Sequence, residues 1–236
     1  MTQSLSPTLA ALALLVGFAA VSPAQQQGGR WTPPRNLQQL RDVTVDGTLE
    51  GVQGNILLVK ASAGHPYQVA LTPGYSKLGV SGTARPDYLK PGMLVSFTAD
   101  LPKDKKVELE QPLSDLAIIS PSDTNTPGLF NEDRDNKEST RFFVRAPVRT
   151  FKDGKLTVVA AGKTIIADVP ADLQIKLEST DMAIVRQGDT IKITGKEVQQ
   201  YRSQGNNVQP GQVVGQQVDI TLQEMLTADT FKKKPK

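Results

Sequence analysis

The chain has 236 residues, a net charge of +3, 38% hydrophobic residues and only 5% aromatic ones. It holds no cysteine, which excludes disulfides, thiolate nucleophiles and cysteine-ligated metals together, and its single histidine, His65, removes most other metal and triad chemistry. Any core must therefore rest on Val, Ile and Leu, a composition that suits small β-barrels or sandwiches.

Leu9 to Val21 is an uncharged apolar run that ends at Ser22-Pro23-Ala24 before Gln25-Gln26-Gln27. That is the pattern of a signal peptide over residues 1–24, and the run falls short of the roughly 18 apolar residues of a membrane span. The expectation is an exported chain, periplasmic or extracellular, that begins near Gln25 and has no membrane span. Residues 25–41, with Gln, Gly, Trp31 and Pro33-Pro34, read as an extended leader.

From Asp42 the pattern alternates, with Val43, Val45 and Leu49 on one face and Asp42, Asp46 and Glu50 on the other, so a half-buried strand is predicted. Gly51 to Gly54 turns the chain, Ile56–Val59 and Tyr67–Leu71 supply two more strands, and His65-Pro66 lies in the loop between them. Leu78 and Val80 come next, then Arg85 to Gly92, long enough for about one helical turn. Met93, Val95, Phe97, Ala99 and Leu101 alternate as a fourth strand. Val107-Leu109 begins a fifth, whose phase slips before Leu116 and Ile118, which predicts a bulge. Residues 121–140 are polar, acidic and turn-rich, the composition of an interdomain linker.

The series then repeats. Gly154-Lys155-Leu156-Thr157-Val158-Val159 echoes Gly54-Asn55-Ile56-Leu57-Leu58-Val59, with Phe142, Val144 and Val148 before it and Ile165-Ile166, Ile175 and Leu177 after it. Thr180 to Val185 predicts a short capped helix, and Ile191 and Ile193 match Val95 and Phe97. Gln199 to Gln212 is a polar insertion before Val218, Ile220 and Leu222, and the last ten residues end in Lys232-Lys233-Lys234-Pro235-Lys236, a basic tail that carries most of the net charge.

Three strands, a short helix and two more strands in about 80 residues resemble the OB-type five-stranded barrel. The turns Leu89-Lys90-Pro91-Gly92 and Arg186-Gln187-Gly188-Asp189 before the fourth strands are similar to those of secreted bacterial OB-like domains. The resemblance implies an all-β chain of two tandem five-stranded barrels, residues 42–120 and 141–226, each with a short helix before strand 4; two small β-sandwiches are the alternative. It implies a fold and no site.

Asn131, Asp133, Asp135 and Asn136 have the look of the start of a calcium loop, but Phe142 stands where the bidentate Glu belongs, so no metal or cofactor is expected. His65 has no carboxylate at an orienting spacing, and Glu108 and Glu110 read as a solvated strand face. Recognisable binding chemistry lies in one stripe. By period two, Arg141, Phe143, Arg145, Arg149 and Phe151 share a face, aromatics among arginines as in surfaces that bind anionic polymers. When Val45 is set on Val144, the acidic residues Asp42, Asp46 and Glu50 fall on Arg141, Arg145 and Arg149. Such complementary patches could join within the chain or between copies.

The leading expectation is a non-catalytic binding or structural module of the cell envelope or extracellular space, with an envelope protein or an anionic polymer (polysaccharide or nucleic acid) as partner. A hydrolase working with carboxylates alone is the alternative from another class.

Overall fold

The alternation of buried and exposed residues follows the sequence pattern in the first strand, where Val45 and Leu49 are buried between exposed Thr44, Asp46, Thr48 and Glu50. The computed structural model describes residues 37–132, 140–204 and 207–231, all within one compact unit, residues 33–236. The expected signal peptide, most of the expected leader, residues 133–139 of the acidic segment and the lysine tail lie outside the described residues.

In the first repeat β1 (Arg41–Gln53), β2 (Ile56–Ala61) and β3 (Pro66–Leu71) form a meander, and β4 (Lys77–Ala84) leads away from it. A 3-10 turn at Pro86–Tyr88 stands where a short helix is expected, followed by β5 (Leu94–Asp100), β6 (Lys106–Glu108) and β7 (Ala117–Ile119). The acidic segment contributes β8 (Gly128–Asn131). The second repeat gives β9 (Arg141–Lys152), β10 (Lys155–Ala160), β11 (Lys163–Asp168), β12 (Ile175–Ser179), a 3-10 turn at Met182–Ile184, then β13 (Thr190–Gln199), β14 (Arg202–Gln204), β15 (Asn207–Gln209) and β16 (Gly211–Thr221). Asp153-Gly154 and Ala161-Gly162, each pair at positive φ, make the tight turns on either side of β10.

The chain is all-β, but its strands do not sort by repeat. A closed five-stranded barrel takes β1, β2 and β3 from the first repeat and β13 and β16 from the second: β16 runs parallel to β3 and antiparallel to β13, which returns to β1. The other lobe reverses the loan. There β9, β10 and β11 come from the second repeat, β5 lies antiparallel to β9, β6 parallel to β11 and β7 antiparallel to β5. The expected division into 42–120 and 141–226 is thus replaced by an exchange of the last strands.

The reason is visible in the connections. After its third strand each repeat stays extended instead of folding back, and the two extensions β4 and β12 pair antiparallel with one another from Val80↔Ser179 to Ala84↔Ile175. Each also runs parallel to the borrowed strand of its neighbour, β4 to β16 and β12 to β7. Val95 and Phe97 in one lobe are in phase with Ile191 and Ile193 in the other, and all four residues are fully buried. Each such side chain contributes about 1.5–3 kcal/mol on burial.

The exchange is fastened by a matched pair of hooks. Gly92 N–H donates to Val148 O and Val148 N–H to Met93 O, while Gly188 N–H donates to Leu49 O and Leu49 N–H to Asp189 O. The turn before each fourth strand thereby grips the first strand of the other repeat. One continuous hydrophobic cluster runs through both lobes. The expected bulge in the fifth strand of the first repeat is instead a break between β6 and β7, bridged by a loop whose Leu113 and Leu116 are buried.

Candidate functional site

The arginine-aromatic stripe lies on β9, and the structure divides it. Residues 148–158 carry a register shift between β9 and β10 that leaves Arg149 as the extra residue of a bulge. A bulge moves every later side chain to the other face. Phe151 accordingly packs against the core, whereas Arg141, Phe143 and Arg145 remain together on the outside and Arg149 is exposed apart from them. The expected single face of five is therefore a group of three.

That group is covered by the chain itself. β8 pairs antiparallel with β9, Gly128↔Arg145, Leu129↔Val144, Phe130↔Phe143 and Asn131↔Phe142. The Arg145 guanidinium sits 5.2 Å from the Phe130 ring centroid and 5.1 Å from that of Phe143, and its Nη1 donates to Thr124 O at 2.6 Å. Arg141 Nε bonds the carboxylate of Glu132 just beyond β8. Opposite Arg145 stands Gly128, where a Cβ would come within 3.1 Å of the Phe130 ring. Part of the segment expected to be a bare linker is thus a docked strand. A signal for it exists in the sequence, the Leu129-Phe130 pair behind Gly128 in an otherwise polar stretch.

The acidic counterpart lies on β1, in the other lobe. Asp42, Asp46 and Glu50 are all exposed, and Glu50 falls at a register shift between β1 and β2 as Arg149 does between β9 and β10. Asp42 bonds Lys196 on β13 at 2.8 Å, and Lys192 faces Asp46 across the same strand pair. Neither Asp46 nor Glu50 has an ion pair among the described residues. The two stripes of opposite charge do not pair with each other within the chain: β1 is flanked by β2 and β13, and β9 by β5, β8 and β10.

A cleft of about 520 Å³ opens beside β5 and β6, with Asp100, Glu108, Glu110, Thr98 and Thr140 in its wall. Glu108 is engaged there by Lys155, which also bonds Asp168, and these two carboxylates hold the Lys155 ammonium above the usual lysine range. Among the described residues no group of three or more His, Cys, Asp and Glu is placed to hold a metal ion, and no helix is long and apolar enough to cross a membrane. Of the calcium-like run only Asn131 is described; Asp133, Asp135 and Asn136 are not.

No family model matches the chain, and neither does any curated protein or solved structure. The functional reading therefore rests on the chain's own geometry.

His65 stacks on Tyr201 with ring centroids 4.1 Å apart and planes 12° from parallel, tying the β2–β3 turn to the start of the β14–β15 ribbon. Beside it the Tyr67 ring lies flat over Gly211, where any Cβ would collide with it. Burial, and secondly the Glu197 carboxylate, push the Tyr67 hydroxyl above the usual tyrosine range. The sequence reading leaves this contact unseen, since 136 residues separate the two rings. It also passes over Asp189, 4% exposed, whose carboxylate accepts from the N–H groups of Arg186 at 2.7 Å and Gln223 at 2.9 Å.

Proposed function

We propose that the chain is an exported, non-catalytic binding module of the cell envelope or extracellular space, built on OB-like barrels and engaging protein partners through strand addition. The observation that supports this reading is β8 on β9: an extended segment held by backbone pairing, with one aromatic side chain clasped by Arg145. Backbone hydrogen bonds supply affinity in such contacts and alternate side chains supply specificity. The exchanged strands support it further, because two lobes that share β4, β12, β5 and β13 offer their edges in a fixed mutual orientation. The apolar run from Leu9 to Val21 supports export. Strand order in the closed barrel, 1-2-3-5-4-1 with its third and fifth strands parallel, supports the OB-like part of this reading.

Intact-mass analysis of the exported protein should find an amino terminus near Gln25, and gentle extraction of the envelope should recover it with a partner at fixed stoichiometry. Recovery of full-length chain in the soluble cytoplasm would overturn the localisation. The cleft with Asp100, Glu108 and Glu110 favours a second reading, the carboxylate-only hydrolase. Turnover of an envelope polysaccharide that disappears in both Asp100→Asn and Glu110→Gln would replace the binding reading with that one.

A further inference from the structure

The two repeats treat the same strand edge differently. On β9, Val148 and the residues two and four before it aim their backbone groups at β5, so the alternation of an antiparallel strand turns Arg141, Phe143 and Arg145 the other way, onto β8. The equivalent residues of β1 are Asp42, Thr44 and Asp46. Leu49 exchanges hydrogen bonds with the Gly188–Asp189 hook on the β13 side, while Asp46 O accepts from Ser62 N–H on the opposite side at 2.8 Å. The backbone groups of Asp42 and Thr44, and the N–H of Asp46, therefore face that opposite side, beyond the end of β2. No strand among the described residues pairs with them there, because the β1–β2 register begins only at Gly47.

Side chains make the vacancy selective. Leu129 of β8 stands opposite Val144 and packs against the core, so a strand on β1 would place an apolar residue at the same point, opposite buried Val45 and next to half-buried Val43. On the outer face repeat two has Arg145, and repeat one has Asp46, which has Lys192 opposite it on β13 but no ion pair among the described residues. An incoming strand that carries acidic residues there would be repelled, and one that carries basic residues attracted.

Building on the binding reading above, we infer that the open edge of β1 at Asp42–Asp46 takes up an extended segment of a partner protein in which basic and apolar residues alternate, antiparallel to β1 as β8 is to β9. The partner's basic side chains lie outside beside Asp46, Asp42 being engaged by Lys196, and its apolar ones turn in against Val43 and Val45. An unprotected edge of this kind is a template for pairing, and its carboxylates turn away strands of the wrong charge.

The test uses the full mature chain and a synthetic peptide, Arg-Val-Arg-Val-Arg with blocked ends, against its Glu-Val-Glu-Val-Glu counterpart, read by residue-resolved amide hydrogen exchange. The amides of Asp42, Thr44 and Asp46 should exchange rapidly in the free chain and slow by about tenfold or more with the basic peptide alone. Thr44→Pro, which removes an N–H from the open edge and none from the β13 ladder, should abolish the effect while the melting curve stays cooperative; Asp46→Lys should weaken it about tenfold at low salt. Amides already protected in the free chain, protection by the acidic peptide to the same degree, or binding unaffected by both substitutions would each overturn the inference. A natural partner that co-purifies with the Thr44→Pro chain as well as with the wild type would sink the edge site and leave the binding reading intact.

Discussion

The first strands of the two repeats, β1 and β9, are of nearly equal length and share hydrophobic phase, a bulge at the same position and a hook from the other repeat, yet one edge is occupied and the other, among the described residues, is open. The difference is β8, which stands before β9 in the chain and pairs with it. It teaches that a duplicated sequence can carry one copy of a contact as structure and keep the matching surface for another use. The charge reversal from Arg145 to Asp46 fits that division, since the occupied edge needs a cation between two rings and the open one needs a charge that selects.

The comparison breaks most completely if the exchange of strands is not real. A protease site placed between Glu132 and Thr140, once cut, should leave two fragments that elute as one species in native buffer, because each supplies strands to the other lobe. Two species separating without denaturant would mean that the lobes follow the repeats after all.

Next in size is the hook that has a buried charge against the one that has none. Asp189→Ala leaves the Arg186 and Gln223 amides without their acceptor, and hydrogen bonds to charged groups are worth about 1.5–3 kcal/mol each. Urea unfolding should show a loss of about 3 kcal/mol. Met93→Ala, at the matching place in the other hook, should cost clearly less, because its backbone bond to Val148 survives the change.

The occupied edge can be loosened alone. Arg145→Ala removes the guanidinium from Phe130 and Phe143 and the bond to Thr124 O, and each cation–π contact contributes about 0.5–2 kcal/mol. The amides of Leu129 and Phe130 should exchange faster while those of β10 are unchanged; equal acceleration in both would show that Arg145 supports the lobe and not the docked strand.

The smallest effect concerns alkaline pH. Burial first, and the Asp181 carboxylate second, raise the Tyr88 hydroxyl above the usual tyrosine range, with Arg186 opposing. A raised folded value means that the neutral phenol is favoured in the native state, so its contribution is complete below about pH 10, the unfolded value, and fades as pH rises through the folded one. The melting temperature of the wild type should fall above about pH 10, and Tyr88→Phe should flatten that fall. An unchanged slope would assign it to other groups.

The sequence by itself determined the all-β class, the positions of the first three strands on either side of the acidic segment and the buried residues at their alternate sites. These are local matters: period two, the glycines of the tight turns and the Val, Ile and Leu content act within a few residues of one another. It also marked Arg141, Phe143 and Arg145 as a group and placed Phe151 with them wrongly, because a single bulge residue, Arg149, reverses the phase and only backbone pairing creates it. Tertiary structure alone decided which strands complete which lobe, since Val95-Phe97 and Ile191-Ile193 carry the same alternation of buried apolar residues. It likewise decided that β8 docks, that His65 meets Tyr201 and that Asp189 is buried. Each of these depends on partners far away along the chain, and the free energy that selects among them comes from the packed whole.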